Sequence, residues 1–421
     1  MKRLHVIGAG LAGLSAALVA SRHGIAVTLH EAAPQAGGRC RSYFDDKLGC
    51  VIDNGGHVVM GANRAAFDFL DEIGGRAHIT EVAPAAYPFL DLATGERWTV
   101  RPNAGPLPWW VLAPSRRVPH TRLIDYLQAL RILGAGPDDT VAQFLSPGSE
   151  LYRRLWDPLA TSVMNADPRE AAAQPMAAMV RQTFFAGEAA CRPWVARAGL
   201  SRAFIDPAVD LLRTRGAVLR TEHRLQRFVL DGDRASALVF ADGEVRLDGD
   251  DAVVLAVPHA IAPTLLPDLT APNDARAIVN VHFRLAGRAQ LPGGLPLLGL
   301  VGGTAQWLIV HDDVVSVTVS AGDALADQSN DAVIDALWRD VARAIGLAPT
   351  SPAPARLIKE KRATFAQTPA QVARRPVART RWRNLALAGD WTATGLPATI
   401  EGAIRSGREA ATALGIGVPN S

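Results

Sequence analysis

The N-terminal thirty residues carry the pattern that most restricts what this chain can fold into. An apolar run at residues 4–7 is followed by the turn GAGLAG at residues 8–13 and by a small-residue, helix-favouring stretch at residues 14–22. A second apolar run, residues 26–30, ends at Glu31. Strand, GxGxxG turn, helix, strand and acid in this order predict a complete βαβ dinucleotide-binding unit.

Each position of the turn has a physical reason. Gly8 permits a tight turn, Gly10 lets the backbone approach a pyrophosphate, and Gly13 lets the helix and the strand pack closely. The turn residues Leu11 and Ala12 are also expected to contact the cofactor, because the N-terminus of the following helix offers free N–H groups and the positive end of its dipole to the phosphates.

Three further features extend the predicted nucleotide site. Glu31 stands where a carboxylate binds the ribose hydroxyls of an adenosine. The Gly37-Gly38-Arg39 sequence lets the chain pass close to a bound dinucleotide and brings a guanidinium to its phosphates. A polar turn at residues 53–57 ends in His57, and it is either a surface turn or a position beside the reactive ring of the cofactor.

Composition excludes several classes of protein. The 421 residues are 48% hydrophobic and 20% charged, which is typical of a globular chain with an apolar bias. A net charge of +3 without a Lys/Arg block gives no reason to expect nucleic acid binding. No segment approaches the 18 apolar residues of a membrane span. Three cysteines, Cys40, Cys50 and Cys191, without CxxC spacing favour reduced thiols in the cytoplasm and no metal site.

A resemblance follows from these motifs together with a C-terminal one. Residues 385–390 form an apolar run ending in Gly389-Asp390, and Thr399-Ile400-Glu401-Gly402 follows. With the N-terminal unit and the Gly-Gly-Arg sequence, the chain resembles the FAD-dependent superfamily of amine oxidases, protoporphyrinogen oxidases and carotenoid desaturases. The resemblance implies an α/β fold of the flavin amine oxidase type, in which a discontinuous Rossmann-like FAD-binding domain carries an inserted α+β substrate domain.

The same resemblance implies roles for the C-terminal residues. Asp390, after Gly389, accepts hydrogen bonds from the ribityl chain, while the helix that begins near Thr399 and Ile400 faces the pyrimidine edge of the flavin. Backbone beside Leu225 holds the adenine. The absence of any cysteine after Cys191 argues against a covalent C-terminal flavin link, so that non-covalent FAD is expected.

The expected domains are discontinuous. Residues 1–75, 200–260 and 380–421 form the FAD-binding domain, and residues 76–199 and 261–379 form the substrate-binding domain. Within the second insert, three apolar or alternating runs predict strands and one amphipathic run predicts a helix. These are residues 278–283, 307–310 and 314–320 for the strands and 331–345 for the helix.

The first insert is rich in tryptophan. Trp109, Trp110, Trp156 and Trp194 are expected to line an apolar substrate pocket. The run at residues 107–114 precedes two arginines, and two interpretations remain open: it is buried core, or it is an entrance lip that touches a membrane surface or a lipid substrate. An apolar interior favours a hydrocarbon over a charged metabolite.

Within the superfamily the chain is most similar to the hydroxysqualene dehydroxylases of squalene and hopanoid synthesis. The matching pieces are PLPWW at 106–110, ACRP at 190–193, GLS at 199–201, ATF at 363–365 and GLPATIEG at 395–402. The resemblance implies an apolar isoprenoid substrate, hydroxysqualene, whose allylic hydroxyl is removed by hydride from reduced FAD to give squalene. The reduced cysteines predict a cytoplasmic protein, and the entrance-lip interpretation of residues 107–114 would place it peripherally at the inner face of the cytoplasmic membrane. The external electron donor stays open.

Three residues are candidates for the catalytic proton transfer by their position in motifs: His57, Arg192 and Glu360. A water-borne proton is an equal alternative. An isoprenoid desaturase, which runs the redox step in the oxidative direction, is the main alternative function. An amine oxidase is disfavoured because all four tyrosines lie in the first 152 residues. A non-enzymatic prenyl-binding protein is disfavoured because the glycines of the turn, Glu31 and Asp390 are all present.

Overall fold

The computed structural model describes residues 1–348 and 350–417, apart from the side chain of Pro292. The end of the predicted FAD-binding segment, residues 418–421, lies outside them. The strands are β1 Arg3–Ile7, β2 Ala26–His30, β3 Ser42–Asp45, β4 Cys50–Asp53, β5 Val58–Met60, β6 Ile79–Glu81, β7 Tyr87–Asp91, β8 Arg97–Val100, β9 Pro193–Ala196, β10 Val218–Arg220, β11 Arg227–Asp231, β12 Arg234–Phe240, β13 Gly243–Arg246, β14 Asp251–Leu255, β15 Ala275–Arg284, β16 Leu297–Val301, β17 Trp307–His311, β18 Val314–Val319, β19 Ala355–Phe365 and β20 Leu385–Leu387.

Helices connect and cover these strands. They are α1 Leu11–Arg22, α2 Arg64–Ile73, α3 Gln128–Arg131, α4 Val141–Phe144, α5 Asp157–Met164, α6 Ala173–Gln182, α7 Asp206–Thr214, α8 Ala262–Leu265, α9 Asp323–Ala326, α10 Asn330–Ile345, α11 Pro369–Val372 and α12 Ile400–Ala413. Short 3₁₀ turns occur as well, and two of them, Trp109–Leu112 and Leu123–Leu127, lie in the first insert.

The first sheet, which we call the nucleotide sheet, is parallel and has the strand order β10-β2-β1-β14-β20. Its strands come from three separate stretches of chain, as the fold prediction requires. The predicted βαβ unit is confirmed, although α1 begins at Leu11 rather than at residue 14 because Gly10 is already its N-cap. Strand β14 lies between β1 and β20 and is buried along its whole length, which explains the apolar run that follows Asp251.

A second sheet, the large mixed sheet, combines strands from both inserts in the order β19-β15-β18-β17-β16-β7-β8. All neighbours are antiparallel except β16 and β7. The predicted strands at 278–283, 307–310 and 314–320 are confirmed as β15, β17 and β18. The predicted helix is α10, which buries Leu337, Val341 and Ala344. The fold is thus the expected α/β domain with an α+β insert.

Packing does not separate the two parts cleanly. The main core beneath the nucleotide sheet includes Ile79 and Ala196, which lie within the first insert by sequence. A second core lies between α10 and the large mixed sheet. A third core, rich in aromatic side chains, fills the first insert and reaches Phe89 and Val301 of the large mixed sheet.

Candidate functional site

The glycines of the first turn have different steric surroundings. Gly8 has φ +103°, and a Cβ there would lie 2.5 Å from the carbonyl oxygen of Ala256. A Cβ at Gly13 would lie 1.9 Å from the carbonyl oxygen of Gly8. A Cβ at Gly10 would meet no atom within 4 Å. Gly8 and Gly13 therefore allow the fold, whereas Gly10 faces open space at the start of α1, which has no side-chain cap.

A second glycine loop stands beside this turn. Gly37 donates its N–H to the carbonyl oxygen of Ala9 at 2.8 Å. A Cβ at Gly38 would come within 3.5 Å of the Cα of Gly10, and both Gly37 and Gly38 have positive φ angles. The two loops and the uncapped α1 form a backbone cradle with free N–H groups of Leu11 and Ala12, which fits a pyrophosphate.

Glu31 closes one end of the cradle. Its carboxylate accepts hydrogen bonds from the N–H groups of Ala9 and Ala33, both at 2.8 Å. A carboxylate can accept about four hydrogen bonds, so two positions remain for hydroxyl groups. The His223 N–H donates to the carbonyl oxygen of Glu31 at 2.8 Å. This contact brings the predicted adenine-side residue, Leu225, which is buried, to the same end of the site.

The C-terminal segment meets the cradle from the other side. Gly389 has φ +148° and donates its N–H to Ser406 at 2.8 Å. The next residue, Asp390, is buried and accepts a hydrogen bond from Arg39 at 2.7 Å. The predicted Gly-Gly-Arg and Gly-Asp motifs are therefore in direct contact. The buried Arg375 donates to the main-chain oxygen of Asp390 at 3.1 Å and holds the segment from behind.

Helix α12 begins where the sequence predicts it. Thr399 is its N-cap and accepts a hydrogen bond from the Gly402 N–H at 3.2 Å, and Ile400 is the first helical residue. A Cβ at Gly407 would lie 2.2 Å from the carbonyl oxygen of Ala12, so that α12 packs directly on α1. Glu401 accepts hydrogen bonds from the first N–H groups of α2. No role for this buried acid follows from the sequence motifs.

A small cavity lies beside the polar turn at residues 53–57. His57 lines it together with Asp53, Gly56, Ala196, His282, Ile309, His311 and Ser316. The turn is glycine-rich because it touches the large mixed sheet: a Cβ at Gly55 would lie 3.1 Å from the Asn280 amide, and one at Gly56 would lie 2.9 Å from the Thr318 hydroxyl. The surface-turn alternative for this segment is therefore wrong.

Burial sets the electrostatics of this cavity. It lowers the pKa of His57, with Asp53 opposing the shift and Arg39 adding to it. Burial likewise lowers the pKa of His282 and His311. The three imidazoles are therefore neutral near pH 7. Nδ1 of His282 is hydrogen-bonded to the Ser316 hydroxyl at 2.8 Å. The buried Nε2 of the same ring has no hydrogen-bond partner among the described residues.

Sequence reasoning missed His282 and His311. His282 lies within β15, where the adjacent residues are apolar and buried, so that strand alternation gave no direction to its side chain. His311 is the half-buried last residue of β17. For His282 the available signal was a polar residue inside a buried apolar strand. Such a residue needs a polar partner or a site.

Glu360 lies on β19, the edge strand of the large mixed sheet. It pairs in register with Ile278. Its charge is near enough to Arg39 to raise the pKa of that guanidinium together with Asp390, against the lowering effect of burial. Arg39 also donates to the carbonyl oxygen of Ala363 at the end of the same strand. Strand β19 is thus an edge strand whose end reaches the nucleotide site.

Arg192 is held by carboxylates on two sides. Its Nε and Nη2 donate to Glu188 at 2.9 and 2.8 Å, and its Nη1 donates to Glu81 at 3.0 Å. These ion pairs join the Glu188–Cys191 turn to β6. They favour a structural role for Arg192, and this side chain does not line the histidine cavity.

The four tryptophans do not form one pocket. Trp110 and Trp156 are buried in the third core, where Phe184 lies between them at ring distances of 6.4 and 5.8 Å. Trp109 is 50% exposed on the outside. Trp194 lies on β9 and packs against Phe67 in the main core. The expectation of a shared pocket is wrong because the chain directs Trp109 and Trp110 to opposite sides and moves Trp194 to the nucleotide domain.

Two features are absent from the described residues: a membrane-spanning helix and a metal-binding cluster. No helix within residues 1–348 and 350–417 is both long and apolar enough to cross a membrane. The same residues contain no group of three His, Cys, Asp or Glu side chains arranged to hold a metal ion.

The two-loop cradle, the acid at Glu31 and the Arg39–Asp390 closure on a parallel sheet define a flavin-dependent oxidoreductase. The model of the family described as flavin containing amine oxidoreductase matches residues 11–415. The chain is 46% identical to the hydroxysqualene dehydroxylase of Sinorhizobium fredii over 410 residues, 97% of each chain. It is 41% identical to that of Zymomonas mobilis over 411 residues, 98% of each.

The chain therefore belongs to the flavin-containing amine oxidoreductase family and, within it, to the hydroxysqualene dehydroxylases. Its cofactor is FAD. Among solved structures it is similar to the cyclohexylamine oxidase of Brevibacterium oxydans, with a TM-score of 0.70, 18% identity and 98% of each chain covered. That likeness concerns the fold alone.

Proposed function

We propose that this protein removes the allylic hydroxyl group of hydroxysqualene and releases squalene, with reduced FAD as the reductant. The observation that carries the proposal is the 46% identity to a hydroxysqualene dehydroxylase along 97% of both chains. The structure supports it with a dinucleotide cradle and a small cavity lined by three histidines, one buried and two half-buried.

Five groups of residues are proposed to hold FAD. The cradle of Gly8, Gly10 and Gly13 receives the pyrophosphate together with the N–H groups of Leu11 and Ala12. Glu31 binds the ribose hydroxyls. Asp390, positioned by Gly389, Arg39 and Gly38, binds the ribityl hydroxyls. The adenine lies against Leu225, and the N-terminus of α12 at Thr399 and Ile400 stabilises negative charge on the pyrimidine edge.

Reduced FAD, when bound, supplies a hydride to the carbon that loses oxygen. The departing hydroxyl needs a proton, and we propose that His57 provides the hydrogen bond that guides it. A neutral imidazole donates from one ring nitrogen and accepts at the other. His57 can therefore pass its N–H proton to the departing oxygen, which leaves as water, while its other ring nitrogen takes up a proton from solvent.

Glu360 is the alternative proton donor to His57, and one variant of each residue distinguishes these two assignments. We expect His57→Asn to slow the reoxidation of reduced flavin by hydroxysqualene about a hundredfold, the size of a lost general acid or base. Glu360→Gln is expected to stay near the wild-type rate, because Glu360 faces Arg39 rather than the histidine cavity. FAD content, read from absorbance, is the control for both. The reverse order of effects would transfer the role to Glu360.

We also propose a cytoplasmic location, peripheral at the inner face of the cytoplasmic membrane. Three free cysteines, two of them buried, support a reducing compartment. A substrate of this class dissolves in lipid, which supports a site of action next to a bilayer. The electron donor that reduces the flavin is left outside the proposal.

An anaerobic single turnover tests the function directly. The bound flavin is reduced with dithionite, hydroxysqualene is added, and flavin absorbance and the lipid extract are followed together. Reoxidation with a matching amount of squalene is expected. If reduced flavin stays reduced while oxidised enzyme bleaches with a saturated isoprenoid segment and forms a double bond, the protein is a desaturase and the proposal is wrong.

A further inference from the structure

Large apolar side chains are exposed in one part of the molecule far more than elsewhere. Of the fifteen such side chains found exposed among the described residues, seven lie between residues 107 and 130. Their exposure reaches 76% for Leu107 and 63% for Ile124. We call this set the apolar platform, and its members are Leu107, Trp109, Leu112, Leu123, Ile124, Leu127 and Leu130.

The platform is held from below as one surface. Its two turns, Trp109–Leu112 and Leu123–Leu127, each turn one aromatic side chain inward, and the rings of Trp110 and Tyr126 meet edge-to-face at 5.5 Å. The Tyr126 hydroxyl accepts the Val118 N–H at 3.0 Å. These inward residues fix both turns to the third core, while Trp109, Leu112, Leu123, Ile124 and Leu127 of the same turns are exposed.

Positive charge surrounds the platform. Residues 101–136 contain five arginines and one acid, Asp125, which is paired with Arg122 at 3.3 Å. The Arg116 guanidinium lies over the Trp109 ring at 5.0 Å. The arginines are Arg101, Arg116, Arg117, Arg122 and Arg131. An apolar surface with a Trp and an arginine rim matches the acyl boundary and the anionic headgroups of a bilayer.

We propose that the apolar platform binds an anionic lipid bilayer, with its seven apolar side chains inserted at the headgroup boundary and its arginines on the lipid phosphates. A second copy of the chain is a poorer occupant, because a two-fold interface would bring the five arginines of one copy against the same five of the other. The inference rests on the proposed function in one respect: the purpose of membrane binding would be the uptake of a lipid-dissolved substrate. Binding itself does not require turnover.

Co-sedimentation with vesicles, without substrate, tests the apolar contribution. The holoenzyme is mixed with vesicles of phosphatidylglycerol and phosphatidylcholine, and Trp109→Ser combined with Ile124→Ser is expected to weaken binding about tenfold or more, as the loss of two inserted apolar side chains predicts. Phe44→Ser with Val51→Ser is the matched control. These two residues are an exposed cross-strand pair on the β3–β4 hairpin, outside the platform, and binding should be unchanged.

A second pair of variants tests the charges. Arg116→Gln with Arg131→Gln is expected to weaken binding to the anionic vesicles about fivefold for each arginine removed, and to have little effect on pure phosphatidylcholine vesicles. Arg246→Gln with Arg288→Gln removes the same charge from exposed positions elsewhere. That control should bind as the wild type does.

The outcomes separate this inference from the proposed function. Lost vesicle binding by the Trp109/Ile124 variant, with turnover retained on substrate in detergent micelles, supports the platform. Vesicle binding by a wild type that turns over no hydroxysqualene would leave the platform standing while the proposed function fails. Wild-type vesicle binding by the Trp109/Ile124 variant overturns the inference. So does a wild-type dimer in solution that this variant converts to a monomer, since the platform would then be covered by a second copy.

Discussion

The nucleotide end of the molecule and the outer segment at residues 101–136 use side chains in opposite ways. At the nucleotide end, a Cβ at Gly8 or Gly13 would collide with main-chain atoms, whereas a Cβ at Gly10 would meet no atom within 4 Å. In the outer segment, two short 3₁₀ turns expose apolar side chains, while Trp110 and Tyr126 are buried in the third core. Both regions therefore contain neighbouring positions with opposite tolerance of substitution. Substitutions in the glycine turn should therefore distinguish residues needed for folding from residues needed for FAD binding. Substitutions in the outer segment should distinguish buried anchoring residues from residues of the apolar platform.

Two alanine substitutions in the same turn should have opposite effects. Gly13→Ala places a methyl group 1.9 Å from a carbonyl oxygen, and we expect it to cost about 3 kcal/mol or more of folding stability, often with loss of folded protein. Gly10→Ala keeps an allowed backbone, with φ −76°, and meets no atom within 4 Å. It should fold with apo-protein stability near the wild type but weaken FAD binding by about tenfold or more.

Urea unfolding of apo-protein and FAD titration measure the two effects separately. Equal destabilisation by both variants would contradict the division of roles. Unchanged FAD affinity in Gly10→Ala would show that the open space beside Gly10 does not receive the cofactor.

The second prediction divides the outer segment in the same way. Trp110 is 4% exposed and packs against Tyr126 and Phe184, so Trp110→Ala should cost about 3 kcal/mol or more. Trp109→Ala should change stability by no more than about 0.5 kcal/mol, because half of its surface is already in water. Denaturant midpoints of the two single variants provide the measurement. Similar losses would mean that Trp109 is an anchor and that the platform is smaller than proposed.

Local spacing was sufficient to predict the nucleotide end. The order of strand, turn and helix is set by neighbours in sequence, and the cap of α12 at Thr399 follows from its own side chain. The contact between Arg39 and Asp390 joins residues far apart in the chain, yet both were indicated by motifs. The family resemblance supplied that link, and spacing alone did not.

The substrate side could not be predicted in the same way. Trp110 and Trp194 are the same residue type in similarly apolar surroundings, and only the tertiary partners decide that one joins the third core and the other the nucleotide domain. His282 lies in a strand buried on both faces, where periodicity has no preferred direction. Arg192 was a candidate for the catalytic proton transfer by its motif, and its ion pairs with Glu81 and Glu188 depend on tertiary contacts that the motif does not reveal.

Two buried histidines and a half-buried third make the nucleotide end sensitive to acid. His5 and His30 are in contact at 3.1 Å, and His30 meets His223 at 2.9 Å. Burial, with the positive charges nearby, lowers the pKa of His30 to about 3, and burial lowers that of His5 to about 4. The folded state therefore keeps both rings neutral at a pH where the unfolded chain already takes up protons.

The sign of the pH dependence follows from these lowered values. Stability is fully present above the unfolded pKa of about 6.5 and is lost as the pH falls from there toward 4 and 3. Replacing His30 by Leu removes one of the two groups and should reduce the stability lost between pH 7 and pH 5 by about 2 kcal/mol. The comparison uses the pH difference within each variant, so any packing change caused by the leucine cancels. An identical loss in wild type and His30→Leu would mean that His30 is not held neutral by the fold, and that the acid sensitivity of the nucleotide end comes from its carboxylates.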